Sequence, residues 1–97
     1  MKIKLIQGAF GKEDAVSLLT QIIHVKIKFH ENKIQKSHNE EDIKMRESRI
    51  KQLQKELYEL RSAVNSITGI VYLDSTIEVG KNNSQKENRL KNNYVAN

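Results

Sequence analysis

The sequence predicts a mainly α protein with a small β element. The expected form is a long antiparallel helical hairpin, coiled-coil-like, whose terminal strands pair at its base. Three observations carry this. Apolar residues recur at spacings of three and four over two stretches, 12–36 and 38–66, the signature of helices with a buried stripe. Between them, QKSHNEED at 35–42 contains no apolar side chain. Outside them, both flanking segments are rich in residues that favour strands.

The first of those flanks is a strand over 2–6. Lys2 and Lys4 alternate with Ile3 and Leu5, a period-two pattern that puts the apolar pair on one face. Gly8 and Gly11 are read as ending it, with Gly11 as an acceptable N-cap. Glu13 and Asp14 follow in the first helical turn, where the positive end of the helix dipole favours them.

The helix over 12–36 carries two apolar stripes rather than one. Ala15, Leu18, Ile22, Val25 and Phe29 form an a/d series, and Val16, Leu19, Ile23, Ile27 and Ile34 run beside it. Together they cover an arc of roughly 200°, about twice what one partner helix needs. Such a helix is expected to be covered from two sides. The cover for the second stripe is either the chain's own sheet or another molecule.

In the helix over 38–66 the a/d positions are Ile43, Ile50, Leu53, Leu57, Leu60, Val64 and Ile67, with Arg46 as the polar interruption. Ser37 and Glu40 fit a capping box, with Glu40, Glu41 and Asp42 as an acidic first turn. Glu40–Lys44, Asp42–Arg46 and Glu47–Lys51 are i,i+4 pairs in the favourable orientation. Both helices share one heptad register, and no Gly or Pro separates them. A continuous rod over 12–66 would be roughly 80 Å long. It would place Asn32, Lys36 and Asn39 in succession on its seam and hold the two strand segments far apart with open edges. A hairpin avoids both faults.

The segment 70–79 reads as one long strand or as two short ones turning at Asp74–Ser75. Val71, Leu73, Ile77 and Val79 share a face on which Ser75 is the misfit. Residues 81–97, with six Asn and few apolar side chains, bury too little surface to offset ordering entropy of roughly 1–2 kcal/mol per residue. They are expected to form a disordered basic tail beside a single hairpin domain over 1–80.

The charge divides along the same boundary. Of the net +5, residues 1–80 contribute 13 Lys and Arg against 11 Asp and Glu, whereas 81–97 hold four against one. Thus pI ≈ 9.5 owes much to the tail. The chain has 97 residues, no Cys, no Pro and no Trp. Disulfide, thiol and thiolate-metal chemistry are excluded with the cysteines. No apolar run approaches the roughly 18 residues of a membrane span. The N-terminal apolar stretch is too short for a signal-peptide core, so the expected location is the cytoplasm.

Candidate sites are few. Residues 8–12, GAFGK, lie between strand and helix, but a phosphate-binding loop would need Gly and Ser or Thr where Ile6 and Glu13 stand. His24, His30 and His38 lack metal-site spacing and read as surface residues. Asp74 is the one acid with a prospect of partial burial. No nucleophile–base–orienter set is present, so neither catalysis nor a cofactor is expected.

The expected function is a non-enzymatic protein–protein interaction or oligomerisation module. It would be a homo-oligomer, with a dimer favoured, or would bind a partner helix. Val16, Leu19, Ile23 and Ile27 are the candidate interface. The alternative is a nucleic-acid-associated accessory protein using the tail and Lys26, Lys28, Lys33 and Lys36 near the hairpin tip.

Overall fold

In the computed structural model, which describes residues 1–82, four elements follow in order: strand β1 (Lys2–Phe10), helix α1 (Lys12–Lys36), helix α2 (Glu40–Asn65) and strand β2 (Val71–Glu78). The two helices form an antiparallel hairpin and the two strands pair antiparallel at its base. Of the expected tail, all but Lys81 and Asn82 lies outside the described residues.

The hairpin turns over three residues, Ser37–Asn39, and each end residue caps one helix. The Ser37 N–H donates to the Ile34 carbonyl at 3.1 Å, closing α1. Asn39 Oδ1 accepts from the Asp42 N–H at 3.0 Å, opening α2. This corrects the Ser37–Glu40 capping box and starts the second helix at residue 40 rather than 38. The Ser37 hydroxyl instead accepts from the Asn39 N–H at 3.2 Å and braces the turn. Asn is at least as good a cap as Ser, and its position next to the acidic turn decides between them. At the other end, Lys12 Nζ donates to the Asn65 carbonyl at 3.2 Å. A cation from α1 thus sits at the negative end of the α2 dipole, which has no basic residue in its own last turn.

Two apolar clusters hold the molecule. Ile23 packs with Leu53 and Leu57 midway along the hairpin, with Ile27 and Leu60 at its margin. Ala15, Val64 and Val71 meet where helices and sheet converge, flanked by Phe10, Val16, Leu19 and Leu73. Ala15 is fully buried, so its methyl is what lets β2 approach α1 closely. Gly69, with φ +92°, reverses the chain between α2 and β2 in a backbone region that L side chains rarely adopt.

The strands differ from expectation in two ways. First, β1 continues through Gly8 and Ala9 to Phe10, because Leu73, Tyr72 and Val71 pair with these residues in turn. Second, the register shifts at Leu5: Lys4 faces Thr76, while Ile6 already faces Ser75. The extra residue is a β-bulge, and it changes which side chains share a face. Without it Ile3 and Leu5 would lie together. With it Ile3 and Ile6 share the face of Phe10, and Ile6 is buried. The same bulge resolves the misfit at Ser75, which lies opposite the irregularity within an unbroken β2. Asp74 is therefore mid-strand, exposed, and joined across the sheet to Lys4 Nζ at 3.0 Å.

Candidate interaction surface

Helix α1 supplies more apolar surface than the hairpin consumes, and the structure shows which part is left. Ile23 is buried between Leu53 and Leu57, Ile27 packs beside them, and Val16 and Leu19 lie against the Ala15–Val64–Val71 cluster. Of the four residues expected to form an external interface, Ile23 is thus spent inside the molecule, while Val16, Leu19 and Ile27 are half-buried at the margins of the two clusters. The reason is geometric: the side of α1 that α2 can reach is the stripe centred on Ile23.

What remains is the a/d series beyond Ala15, which is itself buried against Val64 and Val71. At 100° per residue, Ile22, Phe29, Leu18 and Val25 stand roughly 100–160° around α1 from Ile23. Val25 is 69% and Phe29 53% exposed, whereas Leu18 and Ile22 are half-buried. The side of the hairpin they occupy follows from its grooves. On one side Ser17, Thr20 and Gln21 meet Arg61 and Asn65, and further along His24 and Lys28 meet Gln54. The a/d series occupies the other side, with Met45 of α2 and a shallow apolar depression formed by Leu60 and Ala63 between Glu56 and Glu59.

Charge on this side is divided along its length. Lys26, Lys33 and Lys36 flank the α1 stripe towards the hairpin tip, with Glu41 one turn before Met45 on α2, whereas Glu56 and Glu59 lie on α2 towards the base. Lys33 Nζ stands 5.6 Å from the Phe29 ring centroid and the Arg46 guanidinium carbon 5.9 Å from it, a cation–π arrangement that holds the exposed ring in place. Lys28 belongs to the opposite side and faces Glu31 at 3.9 Å. The four lysines of the nucleic-acid alternative are therefore not gathered on one face.

The tip contains a polar cluster that sequence reasoning missed. His30, read as a surface residue, is 2% exposed. Its Nδ1 lies 3.1 Å from Arg46 Nη1. A guanidinium only donates, so Nδ1 accepts and the ring proton resides on Nε2. Arg46 is held in turn by Asp42, with Nε 3.3 Å from Oδ1. Burial, followed by the positive charges of Arg46, Arg49 and Lys26, lowers the His30 pKa below its ordinary 6.5. The signal was present in the sequence: Arg46 interrupts an otherwise apolar seam, and a polar seam residue requires a partner on the facing helix.

Among the described residues, no three His, Asp or Glu side chains gather in a metal-binding arrangement. No helix among them is long and apolar enough to cross a membrane. The described residues form a strand–helix–helix–strand hairpin with Val25 and Phe29 exposed on one apolar side. No known family model, curated protein or solved structure matches the chain.

Proposed function

We propose that the protein is a non-enzymatic interaction module that self-associates through the outer stripe of α1, where Val25 and Phe29 are exposed and Leu18 and Ile22 are half-buried. The observation that carries this reading is the double stripe: α2 occupies one, and the other keeps two large apolar side chains more than half exposed. A second copy laid antiparallel, stripe on stripe, is the occupant that the charges fit. It sets Lys26, Lys33 and Lys36 at the tip of each hairpin over Glu56 and Glu59 at the base of the other. The product is a four-helix arrangement of two hairpins, the packing in which amphipathic antiparallel helices bury a common seam.

The test contrasts two variants of the same helix. Val25→Glu combined with Phe29→Glu lowers the mass measured by light scattering and leaves the helical circular dichroism unchanged. Ile23→Glu, which forces a carboxylate between Leu53 and Leu57, unfolds the hairpin. A double variant with unaltered mass contradicts the reading. So does a well-folded Ile23→Glu variant that has dissociated, since that outcome returns the interface to the Ile23 side.

A further inference from the structure

Among the described residues the sheet has two strands, and its edges are not equivalent. The outer edge of β1 carries Lys2, Lys4 and the bulge at Leu5, three devices that discourage another strand from pairing there. The outer edge of β2 has none of them. Its residues are VYLDSTIE, without Lys, Pro, Gly or irregularity.

The hydrogen bonds at the open end of the sheet establish which backbone groups β2 turns away from β1. The Val79 N–H donates to the Met1 carbonyl at 2.8 Å, and the Met1 ammonium donates back to the Val79 carbonyl at 3.2 Å. Residues 1 and 79 are thus a hydrogen-bonded pair, and in an antiparallel ladder such pairs alternate. The odd residues of β2 therefore direct their N–H and C=O groups at β1. Tyr72, Asp74, Thr76 and Glu78 turn theirs towards the open edge.

We propose that this edge pairs with the same edge of a second copy, antiparallel about a two-fold axis at Ser75. The register follows from the groups present. Pairing must match even residues with even ones to use the free hydrogen-bonding groups. An axis at Asp74 opposes two aspartates, and an axis at Thr76 opposes Asp74 to Glu78 twice. An axis at Leu73 leaves Thr76 and Glu78 beyond the paired strand. The axis at Ser75 sets Asp74 opposite Thr76 and Tyr72 opposite Glu78, uses all four even residues of each chain, and opposes no like charges. On the other face it sets Ile77 against Leu73 and Val79 against Val71. Ile77 and Val79 are 43% and 55% exposed, so the residues left uncovered in one chain meet the apolar row of the other. The result is a four-stranded sheet, which has the strand number that an isolated pair lacks.

This contact stands on the sheet edge and not on the α1 stripe, so the two are tested apart by working in the Val25→Glu/Phe29→Glu background. There the edge contact predicts a dimer. Thr76→Pro removes an N–H that is turned away from β1 and places the ring in the path of the partner strand, which halves the mass. Ser75→Cys, the sole cysteine in the chain, joins two copies at the axis on mild oxidation, each thiol losing its proton and one electron to added diamide. Asp74→Cys, displaced from the axis, crosslinks many times more slowly. A monomeric double-Glu protein that is folded by circular dichroism overturns the inference. Equal crosslinking from positions 74 and 75 also overturns it.

Discussion

Arg46 Nη1 lies 3.1 Å from His30 Nδ1 across the hairpin tip, so the one polar residue in the α2 seam and the one buried polar residue of α1 satisfy each other. The bond exists only while His30 is neutral. Protonation would place a second cation against Arg46, with Arg49 and Lys26 nearby.

A pH dependence follows with a definite sign. The folded-state pKa of His30 lies below its value of 6.5 in the unfolded chain, so the unfolded chain binds more protons between the two values. The contribution of neutral His30 is complete above 6.5 and is lost as pH falls towards the folded value. Urea midpoints are expected to decline below pH 6.5, and His30→Gln is expected to flatten that decline. A variant that keeps the full slope would place its origin elsewhere.

Removing the donor has its own signature. Arg46→Ala leaves Nδ1 of a 2%-exposed ring without a partner, at a cost of about 1–3 kcal/mol at neutral pH. Arg46→Met together with His30→Leu fills the same space with apolar groups and is expected to recover most of that loss. Chemical denaturation of the two variants supplies the comparison.

The mid-hairpin cluster gives the largest expected effect of a single truncation. Leu53 is fully buried, and Leu53→Ala is expected to cost about 2–5 kcal/mol. Tyr58, on the same helix and 73% exposed, is expected to tolerate Ala within about 0.5 kcal/mol. Equal losses at the two positions would mean that the hairpin seam is drawn on the wrong side of α2.

The turn makes a smaller, separate prediction. Asn39→Ala removes the acceptor for the Asp42 N–H and is expected to cost about 0.5–2 kcal/mol. Ser37→Ala, which loses a brace and no helix cap of α2, is expected to cost less. Thermal melts would rank them.

Most of the architecture was legible because helical periodicity is a local signal repeated over many residues. Both helices, the polar turn and the pairing of the terminal segments could be read from stripe spacing and from the cost of the alternatives. Three features could not. The bulge at Leu5 arises from which residue of β2 opposes which of β1, and spacing within one strand contains no such information. The choice of Asn39 over Ser37 as cap turned on where the chain reverses, to within two residues. The choice between the two stripes of α1 was the most consequential. Both are apolar and adjacent, and only the approach of Leu53 and Leu57 to Ile23 assigns one inward and leaves Val25 and Phe29 outward. The histidine at position 30 lies on the side that α2 claims, and the clue to its burial in the sequence is the polar Arg46 in the facing seam.

The account rests on the claim that Val25 and Phe29, exposed on the second stripe of α1, are covered by another copy. The most direct measurement is the native mass of the wild-type chain by light scattering across a range of concentrations. The account predicts at least twice 11.2 kDa, falling when Val25 and Phe29 are both replaced by Glu. A folded protein that stays at 11.2 kDa at every concentration would contradict it.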